Sequence, residues 1–188
     1  MSMRNYGIYQ QGAIFYPEDF DPAKVIMTVC VKIMEVTVPD NIQTALAERN
    51  FNPAIVAEIC ELLGIPKNMR DNYKCYADIS NSCVADAEAE EWFSGREPLM
   101  GTSEAEVMIF SDIEGDYVFD AEFKGSQYAD DCFMFSVPFP CAWQIADFQG
   151  AKDRESILAN IRVAAQPLLK DDIDWSDRLG ILIGSTFG

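Results

Sequence analysis

The stretch SEAEVMIFSDIEGDYVFDAEFK, residues 103–124, decides the predicted fold. Residues 106–110 and residues 117–124 are rich in apolar, β-branched and aromatic side chains, which is typical of strands. In residues 117–124 the aromatic Tyr117, Phe119 and Phe123 lie on the face opposite to Asp120 and Glu122, which indicates a strand with one buried face. Residues 132–139 form a third run of this kind, after a second polar connection. Because both connections are short, the three runs predict an antiparallel meander within residues 103–139.

Alternating patterns also occur outside the meander. In residues 25–38 the alternation changes parity near Ile33 and Met34, which predicts a strand with a bulge at that point. Further strands are predicted at residues 6–9 and 13–16, which would form a hairpin, and at residues 73–79 and 179–185.

Helical patterns separate these strands. Asn52 predicts an N-cap, Pro53 suits the first helical position and Gly64 marks the end of the same helix. Before it, Asp40 and Gln43 resemble a capping box. Two more helices are predicted at residues 82–93 and 151–165.

Together these elements predict a single α+β domain over residues 1–188, with an acidic subregion at residues 71–131. The predicted architecture is a mainly antiparallel sheet with about three to four helices packed on it. No motif in the sequence is specific enough to indicate a family.

Composition excludes several classes of function. The chain of 188 residues carries 31 acidic and 14 basic side chains, for a formal net charge of −17, and it contains no histidine. A Ser-His-Asp triad, a Cys-His pair and an imidazole metal site are therefore excluded. The charge argues against direct binding of nucleic acid through a basic surface. Hydrophobic residues make up 49% of the chain, which indicates a folded protein.

The negative charge is concentrated in the acidic segment, which we define as residues 71–131. This segment holds 16 acidic and 3 basic residues, for a net charge of −13. Residues 1–70 and residues 132–188 each have a net charge of −2. About a third of the chain therefore carries three quarters of the net charge.

Within the acidic segment, carboxylates repeat along the predicted strands. If residues 106–110 and 117–124 pair as a hairpin, one register places Glu106 opposite Asp120 and Glu104 opposite Glu122. Carboxylates two residues apart on a strand are about 6.6 Å apart, which is of the order of the spacing between successive phosphates on a nucleic-acid strand. The pattern favours an acidic surface that enters the basic groove of a nucleic-acid enzyme.

We therefore predict a non-enzymatic acidic inhibitor of the anti-CRISPR, anti-restriction or nuclease-immunity type. Its partner would be a basic nucleic-acid-handling protein, such as a nuclease or defence effector. No catalytic residue, metal ligand or cofactor is assigned. The residues predicted to bind the partner are Glu104, Glu106, Asp120, Glu122, Asp112, Glu114, Asp116, Asp86, Glu90 and Glu91.

Three other interpretations stay open. In the first, the protein is an oligomeric structural protein and its acidic segment is only a solvated face, since charge runs commonly serve only solubility. Alternatively, carboxylates hold magnesium in a small enzyme. A faint helix-turn-helix pattern at residues 58–70 gives a third interpretation, although it lacks a basic field. The magnesium interpretation uses either Asp171, Asp172 and Asp174 or Asp112, Glu114 and Asp116.

The remaining sequence features concern compartment. No N-terminal run is apolar enough for a signal peptide, and no segment predicts a membrane span. The six cysteines are interpreted as reduced thiols of a cytoplasmic protein. Cys30 and Cys60 lie in apolar patterns and are predicted to be small core residues.

Overall fold

A computed structural model describes residues 5–50, 52–85, 107–111, 115–119, 127–128, 133–138, 151–175 and 178–187. The chain divides into two compact units, each with its own internal contacts. The strand unit comprises Met1–Tyr16, Ser103–Gln166 and Asp171–Gly188. The helical unit comprises Pro17–Thr102 and Pro167–Lys170.

The helical unit consists of short helices joined by turns. Within its described residues the α-helices are α1 (Pro22–Thr28), α2 (Asp40–Ala47), α3 (Pro53–Leu62) and α4 (Tyr76–Ala85). A π-helical turn, Val29–Ile33, continues α1, and 3₁₀ turns lie at Pro17–Asp19 and Arg70–Asn72.

Helix α1 lies where the sequence predicts a strand, so the strand at residues 25–38 is wrong. The Asp21 carboxylate accepts hydrogen bonds from the backbone N–H groups of Ala23 and Lys24, and Pro22 occupies the first helical position. An aspartate followed by proline is a strong helix start. The buried side chains are Val25, Ile26, Val29 and Cys30, which fit a helical period.

The alternation in this region fails because neighbouring positions are also apolar. Val31, which the alternation places on the buried face with Val25 and Val29, is 52% exposed. The predicted bulge near Ile33 and Met34 coincides with the end of the π-helical turn. Glu35 then adopts a positive φ of 51°, which turns the chain out of the helix.

Helix α3 confirms its prediction at both ends. The Asn52 side chain accepts a hydrogen bond from the N–H of Ala54, and Gly64 has a φ of 74° just beyond the helix. The helix at residue 40 is also present, but its predicted capping box is wrong. Pro39 precedes α2 without a side-chain cap, and the Gln43 amide donates to the carbonyl oxygen of Val38.

The strand predicted at residues 73–79 is wrong as well, because α4 begins there. Its start is stabilised by Asp78, which accepts hydrogen bonds from the backbone N–H groups of Lys74 and Cys75. Buried Ile79 and Cys83 lie four residues apart, as one face of a helix requires.

In the ranges that the structure describes, the strand unit has six strands and helix α5 (Ala151–Ala165). The strand order is β2-β5-β1-β6-β3-β4, and each neighbouring pair runs antiparallel. Residues 5–15 form one continuous strand, so the hairpin predicted from residues 6–9 and 13–16 is wrong. The strands are β1 (Asn5–Phe15), β2 (Met108–Ser111), β3 (Gly115–Phe119), β4 (Gln127–Tyr128), β5 (Phe133–Pro138) and β6 (Leu179–Phe187).

The predicted fold class is therefore wrong. Helical residues outnumber strand residues in the described ranges, and the helical unit has only an isolated bridge, Phe20 with Leu169, in place of a sheet. The meander within residues 103–139 does not form, because β2 pairs with β5 while β3 pairs with β6 and β4. Helices α1 to α4 belong to the helical unit. A single domain over residues 1–188 stays a prediction.

The described core of the strand unit forms where α5 packs on β1 and β5. Phe15 and Phe135 are fully buried and meet edge to face, with ring centroids 5.6 Å apart. Ile161 and Ala165 of α5 are also buried. Helix α5 has the bounds that the sequence predicts, because its amphipathic pattern extends over four turns.

Candidate functional site

Only one of the ten residues predicted to bind a partner lies in the described part of the chain. Asp116 is the second residue of β3, where it stands opposite Ile183 of β6 and Tyr128 of β4. The other nine lie outside the described residues, and they are Asp86, Glu90, Glu91, Glu104, Glu106, Asp112, Glu114, Asp120 and Glu122.

The strand pairing corrects the predicted carboxylate hairpin. At Asp116 and Tyr117 both edges of β3 are paired, so β3 offers no edge there to residues 106–110. Strand β2 instead pairs with β5, with Met108 opposite Ser136. The cross-strand register that opposed the acidic side chains of these two runs is therefore wrong.

Two other carboxylates of the acidic segment are described, and they play different parts. Asp71 lies exposed in the 3₁₀ turn before α4. Asp78 is half-buried, and its Oδ2 accepts hydrogen bonds from the N–H groups of Lys74 at 2.7 Å and Cys75 at 3.0 Å. The Lys74 N–H contributes most to lowering the pKa of Asp78, since it stabilises the charged form. The charged Asp78 side chain therefore stabilises the start of α4.

The aspartates of residues 171–174, one of the two sets considered as magnesium ligands, lie in the strand unit. Asp171, Asp172 and Asp174 are all exposed. Among the described residues, no three acidic or cysteine side chains are grouped closely enough to hold a metal ion. Of the other proposed set, only Asp116 is described.

The sequence interpretation missed a charged cluster in the helical unit. Asp21 is 5% exposed; its Oδ1 caps α1, and its Oδ2 lies 2.9 Å from Nη2 of Arg49. Arg49 has a positive φ of 53°, just beyond α2. In the sequence, an aspartate and a proline before an apolar run indicate the helix cap. The ion pair between Asp21 and Arg49 has no local signal, because the two residues are 28 positions apart.

The same cluster forms hydrogen bonds with the backbone of residues that follow α5. The N–H of Asp21 donates to the carbonyl oxygen of Leu168, and Nζ of Lys24 donates to that of Leu169 at 2.8 Å. The N–H of Lys170 in turn donates to the carbonyl oxygen of Asp19. Since Leu168 and Leu169 are buried, this cluster has a structural role in the helical unit.

Arginine and aromatic side chains form a second network, in the strand unit. Trp175 is half-buried, with its ring centroid 5.3 Å from that of Phe15. The guanidinium of Arg162 lies 5.2 Å from the Trp175 ring centroid, and that of Arg178 lies 5.4 Å from the Phe15 ring centroid. Arg178 also donates to the carbonyl oxygen of Ile14, so the network ties β1 to residues near β6.

The described thiols are buried to different extents. Cys30, Cys60 and Cys83 are buried, which confirms the prediction of core positions for Cys30 and Cys60. Burial raises the pKa of Cys30 to about 11 and also raises the pKa values of Cys60 and Cys83. Because the thiolate is the nucleophilic form, these three positions are poorly suited to covalent chemistry. Cys75 is the half-buried exception among the described cysteines.

None of the helices in the described ranges has the length and apolar character needed to cross a bilayer. The cytoplasmic location stays a prediction.

The chain matches no known protein family, no curated protein and no solved structure.

Proposed function

We propose that the protein is a non-enzymatic inhibitor that binds a basic nucleic-acid-handling protein and occupies its nucleic-acid groove. It would act as a nucleic-acid mimic of the anti-CRISPR, anti-restriction or nuclease-immunity type. The observation that carries the proposal is the location of the charge. The acidic segment has a net charge of −13 out of −17 for the whole chain.

Such a segment has an energetic cost, because repulsion among its negative charges opposes folding. Charge spread evenly over the chain would provide solubility with less repulsion between neighbours. A concentrated negative field instead speeds the encounter with a positively charged partner and aligns the two surfaces. The concentration in residues 71–131 therefore favours a binding role over solvation alone.

Outside the acidic segment, several described acidic residues form interactions within the fold. Asp21 serves as a helix cap and as the partner of Arg49. Glu58 accepts a hydrogen bond from Asn41, and Glu61 lies 3.7 Å from Arg70. These carboxylates have partners within the helical unit, and residues 1–70, to which all three belong, are almost neutral overall. Only the acidic segment has a large excess of carboxylates over basic residues.

The proposal is tested with two variants of equal charge. The segment variant carries Glu104→Gln, Glu106→Gln, Asp120→Asn and Glu122→Gln. The control variant carries Glu18→Gln, Glu35→Gln, Glu48→Gln and Asp172→Asn, all at exposed positions outside the acidic segment. Each variant changes the net charge from −17 to −13 by removing three glutamates and one aspartate.

The assay measures DNA cleavage by purified nucleases in the presence of each variant. The panel contains an RNA-guided nuclease, a restriction endonuclease and a nuclease without sequence preference. We expect the natural protein to inhibit at least one of them, with inhibition that weakens as salt rises. The segment variant should inhibit at least about tenfold less well, which corresponds to about 1.4 kcal/mol of binding free energy. The control variant should stay within about twofold of the natural protein.

Two results would contradict the proposal. One is that the natural protein inhibits no nuclease of the panel even at low salt. The other is equal weakening by both variants, which would show that total charge matters and its location does not. Circular dichroism of both variants, compared with the natural protein, separates loss of binding from loss of fold.

A further inference from the structure

We draw no further inference here: the strongest candidate, the apolar surface patch of Val31, Ile33, Met34 and Val36 around the π-helical turn of the helical unit, carries nothing because nothing in the structure shows what covers it.

Discussion

At the scale of single residues, Asp78 shows that a carboxylate of the acidic segment can serve the fold. Its Oδ2 accepts two backbone hydrogen bonds at the start of α4, and these bonds favour the ionised form. Asp71, seven residues earlier, is exposed and lies in a 3₁₀ turn. The two side chains have the same chemistry but different surroundings, so charge counts alone do not separate structural from surface carboxylates.

The lowered pKa of Asp78 gives a stability prediction with a defined sign. The folded state binds the Asp78 proton less readily than the unfolded chain, so the stabilisation is present above the unfolded pKa of about 4. It is lost as the pH falls through the lower pKa of the folded state. At neutral pH, Asp78→Ala should lower the free energy of unfolding by about 1 kcal/mol, as loss of a cap does.

The measurement is urea unfolding followed by circular dichroism at several pH values. The difference between the natural protein and Asp78→Ala should shrink as the pH falls below about 4. Asp71→Ala is the control, because the exposed Asp71 should change stability by no more than about 0.5 kcal/mol at any of these pH values. A difference for Asp78→Ala that stays constant down to low pH would contradict the prediction.

The buried thiols give a second residue-scale prediction. At about pH 8, a thiol with the pKa of Cys30 is ionised in about one molecule in a thousand, and burial further limits access of a reagent. Iodoacetamide should therefore modify Cys75 at least about ten times faster than Cys30, Cys60 or Cys83. Peptide mass spectrometry measures the four rates. The rates should converge in guanidinium chloride, and equal rates in the folded protein would overturn the assignment.

At the scale of elements, local signals predict helices better than strands in this chain. Helix α3 is predicted at both ends because Asn52, Pro53 and Gly64 each act within a few residues of the helix. Helix α1 has an equally local signal in Asp21 and Pro22, but the apolar residues after it fit a strand period and a helix period together. A period of two is therefore weak evidence where almost every position is apolar.

The charged cap of α1 can be divided into two contributions by substitution. Asp21→Asn keeps an oxygen that accepts from the Ala23 N–H and loses the ion pair with Arg49. Asp21→Ala loses both. We expect losses of about 0.5–1 kcal/mol for Asp21→Asn, because Arg49 is largely solvated, and about 1–2 kcal/mol for Asp21→Ala.

Urea unfolding at neutral pH measures both variants. Asp172→Ala is the matched control, since Asp172 is exposed and should change the free energy of unfolding by less than about 0.5 kcal/mol. If Asp21→Ala unfolds like the control, the cap and the ion pair do not stabilise the helical unit. A larger loss for Asp21→Asn than for Asp21→Ala would also be inconsistent with this division.

At the scale of the whole molecule, sequence patterns predict where charge lies but not which strands pair. The excess in residues 71–131 follows from counting alone. The partner of β3 does not, because Asp116 stands opposite Ile183, which is 67 residues away. Short connections favour neighbours along the chain, yet β6 is an apolar run of the kind that suits a central position between β1 and β3. The carboxylate hairpin was inferred from connection length, and long-range pairing replaced it.

The concentration of charge also predicts how salt changes the stability of the whole chain. Repulsion among the carboxylates of the acidic segment opposes the compact state, and screening relieves it. The Debye length falls from about 30 Å at 0.01 M salt to about 3 Å at 1 M. The melting temperature of the natural protein should therefore rise by about 3–6 °C over this range.

The two variants of equal charge show whether this repulsion arises in the acidic segment. At low salt the segment variant should melt at a higher temperature than the control variant, because its four lost charges lie in a segment with a net charge of −13, whereas the control's lie in the two nearly neutral flanks. At about 1 M salt the difference should disappear, since the charges are then screened from one another. Scanning calorimetry at both salt concentrations measures it. Equal melting temperatures at low salt would mean that the negative charges of residues 71–131 are too far apart in the folded protein to repel one another. A surface with such widely spaced charges would not produce the strong negative field that the proposed binding requires.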